Sequence, residues 1–270
     1  MDALTAPPIV TLTTDFGLAD HYVGTMKGVL LNRCPHARLI DISHEIPPFA
    51  IAAGAYTISQ AAPYFPAGTI HVIVVDPGVG TPRKPIVVEA LGQFFVAPDN
   101  GVLTLICEQR RETPAWEITN RSLWMPAPSN TFHGRDIFAP VAGALAARIA
   151  GSGEVGPHLE RIERLPGLQP EQIDKETWRG TILSVDHFGN VITSFRAGSF
   201  PQIANQPFTL EAGELEIRDF RATFGGAAPD CCFAYVGSGG YIEIGINQRS
   251  AAAFLGVRVG ETALLRVTID

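Results

Sequence analysis

The sequence is poor in cysteine: it has four, and Cys34, Cys107 and the adjacent Cys231 and Cys232 form no Cys-x-x-Cys spacing. Neither a zinc knuckle nor a disulfide framework is suggested, and buried free thiols are the plain reading. Basic runs are also missing. With 20 Lys and Arg against 27 Asp and Glu, the formal net charge is -7, which argues against nucleic acid as a partner. Apolar runs break well before the roughly 20 residues that a membrane span needs. Residues 1–14 lack the basic start and apolar core of a secretory leader. A cytoplasmic protein with no membrane attachment is expected. There is no internal repeat and no low-complexity segment. What is present is 46% hydrophobic residues over 270 positions, enough for one large domain or two modest ones.

The chain is organised around Val74-Val75-Asp76-Pro77-Gly78-Val79-Gly80-Thr81-Pro82-Arg83. Residues 71–75 have the β-branched, apolar composition of a buried strand, and Asp-Pro-Gly then forces the backbone out of a sheet. Other strands are expected at 9–13, 38–42, 86–89, 94–97 and 116–119, and helices at 22–32, 49–64, 102–108 and 137–150. Asp15, His44, Asp76 and Asp99 each follow a strand. This fits an α/β domain with a central, mostly parallel sheet and one functional edge, where loops vary while the sheet holds their bases. Residues 151–178 turn rich in Pro, Gly and charge, and the strands expected beyond them are short: 180–186, 191–195, 208–211, 214–217, 233–236, 241–246 and 263–269. The expectation is an α/β domain over 1–165, a linker over 166–178 and a smaller all-β, barrel-like domain over 179–270.

Asp15, Asp20, His21, His44, Asp76, Asp99, His133 and Asp136 include the residue types that bind divalent ions. Their spacing is unlike a metal site: there is no His-x-His and no His-Glu-x-x-His, and several of the Asp stand at turn or helix-start positions that favour Asp for backbone reasons. No metal and no cofactor are expected. Gly78-Val79-Gly80 is neither a Gly-x-x-x-x-Gly-Lys phosphate loop nor the opening of a Rossmann helix. Arg83 can place a cation beside Asp76, either for chemistry or to brace the turn, and the bare pattern leaves both open. In the second domain, Asp186-His187-Phe188-Gly189-Asn190, Ser238 and Asn247 offer groups that bind an amine, stack a ring and hydrogen-bond a purine edge.

Taken together in order, Thr13-Thr14-Asp15-Phe16-Gly17, Asp41-Ile42-Ser43-His44-Glu45-Ile46, Val75-Asp76-Pro77-Gly78-Val79-Gly80-Thr81, Ala97-Pro98-Asp99-Asn100-Gly101, Phe132-His133-Gly134-Arg135-Asp136 and Asp186-His187-Phe188-Gly189-Asn190 resemble the S-adenosyl-L-methionine hydroxide adenosyltransferases. These are S-adenosylmethionine hydrolases related to the fluorinase and chlorinase enzymes, and the resemblance runs along nearly the whole chain. It implies attack of water on ribose C5′ of S-adenosylmethionine, giving adenosine and L-methionine, in a homotrimer with active sites between neighbouring subunits. It also implies that Asp76, Arg83 and His133 handle the water; on electrostatic grounds Asp76 is expected to orient and accept from it, while Arg83 and a charged His133 bias its ionisation.

By the same resemblance Asp15 binds the ribose hydroxyls, Asp186 the methionine amine and Asn190 the adenine edge, while Phe188 and Phe224 stack on the ring and Asn247 completes the binding set. Phe49 falls where the halogenases carry Trp. Ser238 matches a carboxylate-binding position, but Gly239 stands where they have Arg. Retention of Asp76, Arg83 and His133, with no extra loop between Ile86 and Gly101, favours hydrolysis over halide transfer. The alternatives are a halogenase-like adenosyl transfer and a non-catalytic sensor of S-adenosylmethionine or adenosine.

Overall fold

The computed structural model describes residues 6–108, 113–225, 227 and 230–267. The chain divides into two compact units, Met1–Leu165 and Pro166–Asp270.

The first unit runs β1 (Ile9–Thr14), α1 (Tyr22–Arg33), β2 (Arg38–Ser43), α2 (Ile51–Ala61), β3 (Ile70–Val74), β4 (Pro85–Ala90), β5 (Gln93–Pro98), α3 (Thr104–Cys107), β6 (Ala115–Glu117) and α4 (Ala139–Ala146). Its sheet has the order β2-β1-β3-β5-β4-β6. The β2-β1, β1-β3 and β3-β5 pairs are parallel, and β4 pairs antiparallel with both β5 and β6. Four parallel strands therefore end on one edge.

β3 is buried along its whole length, so both faces of the sheet must be covered. One face packs Val10, Leu12, Val72 and Val74 against Met26, Leu30, Phe138 and Val141 of the α1 and α4 side. The other sets Ile73, Ile86, Val88 and Phe95 against Ile58, Val102 and Ile106. α1 turns a stripe of Val23, Met26, Val29 and Leu30 inward, the spacing of one helical face. α4 is buried all round and is rich in alanine and glycine. A Cβ at Gly143 would sit 2.6 Å from the Cβ of Arg33, so glycine lets the two helices approach.

The second unit runs β7 (Glu171–Gln172), β8 (Thr177–Val185), β9 (Val191–Arg196), β10 (Phe208–Ala212), β11 (Leu215–Ile217), β12 (Cys232–Val236), β13 (Tyr241–Ile246), α5 (Ala251–Leu255) and β14 (Thr262–Val267). The order β11-β10-β14-β8-β9-β13-β12 is antiparallel throughout, with β7 on β8. A bridge between Phe220 and Ala234 draws the ends together into a nearly closed, barrel-like sheet. β8 turns the corner: its first half pairs β14 and its second half β9, with a register irregularity between Ile182 and Ser184. Such an irregularity bends a strand.

Differences from the sequence-based expectations have local causes. The helix expected from 49 starts at Ile51, because Phe49 has φ 67 and cannot continue a right-handed turn. The helix expected over 137–150 begins as a π-helical turn, Gly134–Phe138, and α4 ends at Ala146. The segment expected as a linker carries β7 and the first residues of β8, and α5 was not anticipated. Among the described residues no helix is long and apolar enough to cross a membrane.

Candidate active site

The parallel strand ends of the first unit open on a cavity of about 440 Å³ lined by Asp15, Phe16, Tyr22, Pro48, Phe49, Val74, Asp76, Val79, Thr131, Phe132, His133 and Gly134. Asp76 arrives from β3. Its strand end is held by Asn100, whose side-chain amide donates to the Val75 carbonyl at 2.8 Å. The loop then folds tightly: the Thr81 hydroxyl donates to the Gly78 carbonyl at 2.6 Å, and Gly80 adopts φ 77. A side chain at Gly80 would meet the Asn130 carbonyl oxygen at 2.5 Å, so only glycine lets this loop lie against the segment that leads to His133.

That turn returns Arg83 to Asp76. Arg83 Nε lies 3.0 Å from each carboxylate oxygen, and Nη2 also bonds Oδ2. The same Nη2 is 2.8 Å from His133 Nδ1. The Arg83 and Asp76 side chains are 8% and 5% exposed, and the guanidinium lies over Phe138, 5.3 Å from the ring centroid. Arg83 does not line the cavity itself. It stands behind Asp76 and His133, both of which do.

A guanidinium cannot accept a hydrogen bond, so His133 Nδ1 must be the acceptor and the neutral ring carries its hydrogen on Nε2. Burial, and then the Arg83 charge, hold the His133 pKa below the ordinary histidine value of 6.5. The sequence-based expectation of a charged His133 is therefore corrected: burial, together with the fixed cation beside Nδ1, keeps the ring neutral.

His133 opens the π-helical turn, which Asp136 anchors. Asp136 Oδ2 accepts from Ser129 N at 2.8 Å and Ser129 Oγ at 2.9 Å, while Arg135 Nε bonds Oδ1 at 2.6 Å. Burial alone would raise the Asp136 pKa, but these partners bring it below the usual value. Asp15 is raised instead, chiefly by burial and further by the charge of Asp76, although the bond from Phe49 N at 2.9 Å opposes the shift. Phe49 projects an aromatic ring that is 70% exposed at the cavity's rim. Asp99, the fourth strand-end residue, serves the fold: it accepts from Glu163 N at 2.8 Å and does not line the cavity.

The second unit has its own cavity, about 500 Å³, lined by Phe188, Asn190, Phe224, Ile246, Asn247, Gln248, Arg249 and Ser250. Asp186 shapes rather than lines it: Oδ1 accepts from Phe188 N at 2.9 Å and Asn190 N at 2.8 Å, and Oδ2 accepts from the Asn190 amide at 2.8 Å. Gly189, at φ 84, passes so close to Ser250 that a Cβ would lie 2.1 Å from its Oγ. Phe188 is 77% exposed. Phe224 rests edge-on against Phe233 and Tyr235, with centroids 5.1 and 5.0 Å away. Ser238 occupies the exposed β12–β13 turn and lines neither cavity.

Asp15, Phe49, Asp76 and His133 thus meet in one cavity, and Phe188, Asn190, Phe224 and Asn247 in the other. Tyr22, Val79 and Thr131 in the first, and Gln248, Arg249 and Ser250 in the second, join them without having been singled out by the sequence pattern. Ser250 had a signal: its hydroxyl caps α5 by accepting from Ala253 N at 3.1 Å, ahead of an alanine run.

The family models SAM hydroxide adenosyltransferase N-terminal domain and C-terminal domain match residues 10–154 and 180–263. The (R)-S-adenosyl-L-methionine hydrolase of Salinispora tropica is 40% identical over 97% of this chain and 98% of its own. A fluorinase of Nocardia brasiliensis is 26% identical over 96% and 97%. The crystal structure of an uncharacterized conserved protein from Thermotoga maritima superposes with a TM-score of 0.84 at 37% identity, covering 96% of this chain and 99% of that one. With two domain matches in register with its two units, and relatives alike from end to end, the chain belongs to the SAM hydroxide adenosyltransferase family.

Proposed function

We propose that this chain hydrolyses S-adenosyl-L-methionine to adenosine and L-methionine by attack of water on ribose C5′. The observation that carries the reading is the Asp76–Arg83–His133 row, which turns a carboxylate and an imidazole N–H toward the cavity beside Asp15. The 40%-identical relative named for this hydrolysis supports it.

The chemistry asks little of a catalyst. The C5′–S bond breaks with its electron pair passing to sulfur, so a sulfonium departs as a neutral thioether and needs no electrophile. Water supplies the new C5′–O bond. As that bond forms, the oxygen becomes cationic and acidic enough to give its proton to a carboxylate, so no prior ionisation of water is required. Asp76 accepts that proton, His133 Nε2–H holds the water oxygen, and Arg83 fixes both groups from behind. The gain comes from a nucleophile held in line with the C5′–S bond in a preorganised site. No metal or cofactor takes part, and chelation should leave turnover unchanged.

Asp15 holds the ribose hydroxyls and Phe49 covers the sugar. Phe188 and Phe224 stack on adenine, Asn190 and Asn247 bond its edge, and Asp186 and Ser238 serve the methionine amine and carboxylate. The enzyme is a cytoplasmic homotrimer with active sites between neighbouring subunits, a state that sedimentation would test. The relative's name specifies the R configuration at sulfur, and that preference is extended to this chain.

The test is incubation of the purified protein with the separated R and S sulfonium epimers, with and without chloride, followed by chromatography. Adenosine and methionine from the R epimer, independent of chloride, are expected. A chlorinated nucleoside would establish halide transfer instead, and retained ligand without products would establish a sensor.

A further inference from the structure

His44 lies outside the water-handling row, on the loop that follows β2, and both of its ring nitrogens face polar partners. Its ring is 2% exposed. Nδ1 is 2.8 Å from Thr14 Oγ1, and Nε2 is 3.0 Å from Asp41 Oδ1, too bent for a full hydrogen bond but close enough for electrostatic attraction. Asp41 Oδ2 in turn accepts from Lys27 Nζ at 2.6 Å. A row of Thr14, His44, Asp41 and Lys27 thus runs from the cavity's edge to the surface, where Asp41 and Lys27 are 39% and 32% exposed.

Two further observations show what the row holds. The register of β1 on β2 skips from Leu12–Asp41 to Thr13–Ser43, so Ile42 is an extra residue two positions before His44. Bulges of this kind re-aim side chains beside functional sites. His44 also ties the two loops that carry Asp15 and Phe49: its carbonyl accepts from Gly17 N at 2.8 Å, and the ring holds Thr14, the residue before Asp15. Across the same gap Phe49 N donates to Asp15 Oδ2 at 2.9 Å, while Phe49 keeps the left-handed backbone of φ 67. A bulky residue does not take that conformation unless its surroundings impose it.

We propose that His44, Asp41 and Lys27 are positioning residues that fix Asp15 and Phe49 for recognition of the substrate's ribose hydroxyls. The proposal rests on the hydrolase reading and adds a set of residues that governs sugar specificity. They touch no substrate and act through the loop pair. The Asp15 carboxylate, held by Phe49 N, is thereby presented to the cavity for a hydroxyl.

The test uses His44→Gln and Lys27→Met in the full chain, with S-adenosylmethionine and its 2′-deoxy and 3′-deoxy analogues as substrates. In both variants KM for S-adenosylmethionine rises roughly 3- to 10-fold, the worth of one positioned hydrogen bond, while kcat changes less. The preference for the ribose over the deoxy substrates falls by the same factor, and Lys27→Met gives the smaller effect. An equal loss of kcat/KM for all three substrates would reduce the row to a structural brace and overturn the proposal, as would no change. If His44→Gln does not fold, Lys27→Met at the half-exposed end decides alone. If the wild type itself shows no turnover, the hydrolase reading fails separately, and the preference is then read from the affinities for adenosine and 2′-deoxyadenosine.

Discussion

Replacing Arg83 with lysine keeps a cation but removes the planar fork that joins Asp76 to His133. In the native row one guanidinium edge bonds both Asp76 oxygens through Nε at 3.0 Å, and Nη2 reaches His133 Nδ1 at 2.8 Å. A lysine ammonium is a point charge that can satisfy Asp76 or His133, but not both in one plane. Asp76 keeps a counter-charge and the fold survives, while His133 loses the donor that sets its tautomer. Loss of one preorganised contact in a buried site costs about 10²-fold in kcat, or roughly 2.7 kcal/mol of barrier. Arg83→Met supplies the contrast. It leaves a carboxylate that is 5% exposed without a partner, which costs about 3–5 kcal/mol of stability. The assay is single-turnover release of adenosine, with KM measured in parallel and urea unfolding of both variants. A lysine variant with kcat within about 3-fold of wild type and only KM raised would refute the reasoning, since Arg83 would then serve binding and not the water.

Acid should affect the site and the fold separately. Protonating His133 puts a hydrogen on Nδ1 facing Arg83, so kcat/KM should fall as pH drops through a His133 pKa held below 6.5. In Arg83→Met the residual activity should fall at higher pH, because one of the two causes of the depression is gone. His71 is fully buried, stacked on Phe95 and bonded by Thr11, with its pKa lowered from 6.5 to about 4. Below 6.5 the unfolded chain binds a proton that the folded chain refuses, so up to about 3 kcal/mol of stability is lost as pH falls to 4. Urea midpoints should show this slope in the wild type and lose it in His71→Asn; an unchanged slope assigns the effect elsewhere. Phe49→Gly should leave stability within about 1 kcal/mol, because relief of the left-handed strain offsets glycine's entropy, while KM rises. A large drop in thermal midpoint would show that the ring is packed. Gly189→Ala, with a Cβ 2.1 Å from Ser250 Oγ at φ 84, should cost about 1–3 kcal/mol and weaken adenosine affinity in a titration; retained affinity would detach the loop from the site.

The elements legible in the sequence were those whose cause is local. β3 is a β-branched apolar run stopped by Asp-Pro-Gly, and the short strands of the second unit were bounded by turn residues, so both sheets could be read. α5 is five residues long, too short for a periodic signal. β7 exists only because β8 is there to pair it. The same division holds at the site. Asp76 and Arg83 are seven residues apart, and their turn could be foreseen. The neutral state of His133 depends on burial and on Arg83, 50 residues earlier. The left-handed Phe49 depends on Asp15, 34 residues earlier. Asp99 shows the limit of composition: it is an acid in a functional-looking loop, yet its Oδ1 accepts from the Glu163 backbone N–H and it does not line the cavity.

The central claim is that water attacks C5′ of the sulfonium substrate. Turnover of S-adenosylmethionine in water enriched in heavy oxygen, with mass analysis of both products, tests it directly. One heavy oxygen in adenosine, none in methionine, and loss of the labelled product in His133→Ala are expected. Unlabelled adenosine, or label in methionine, would contradict it.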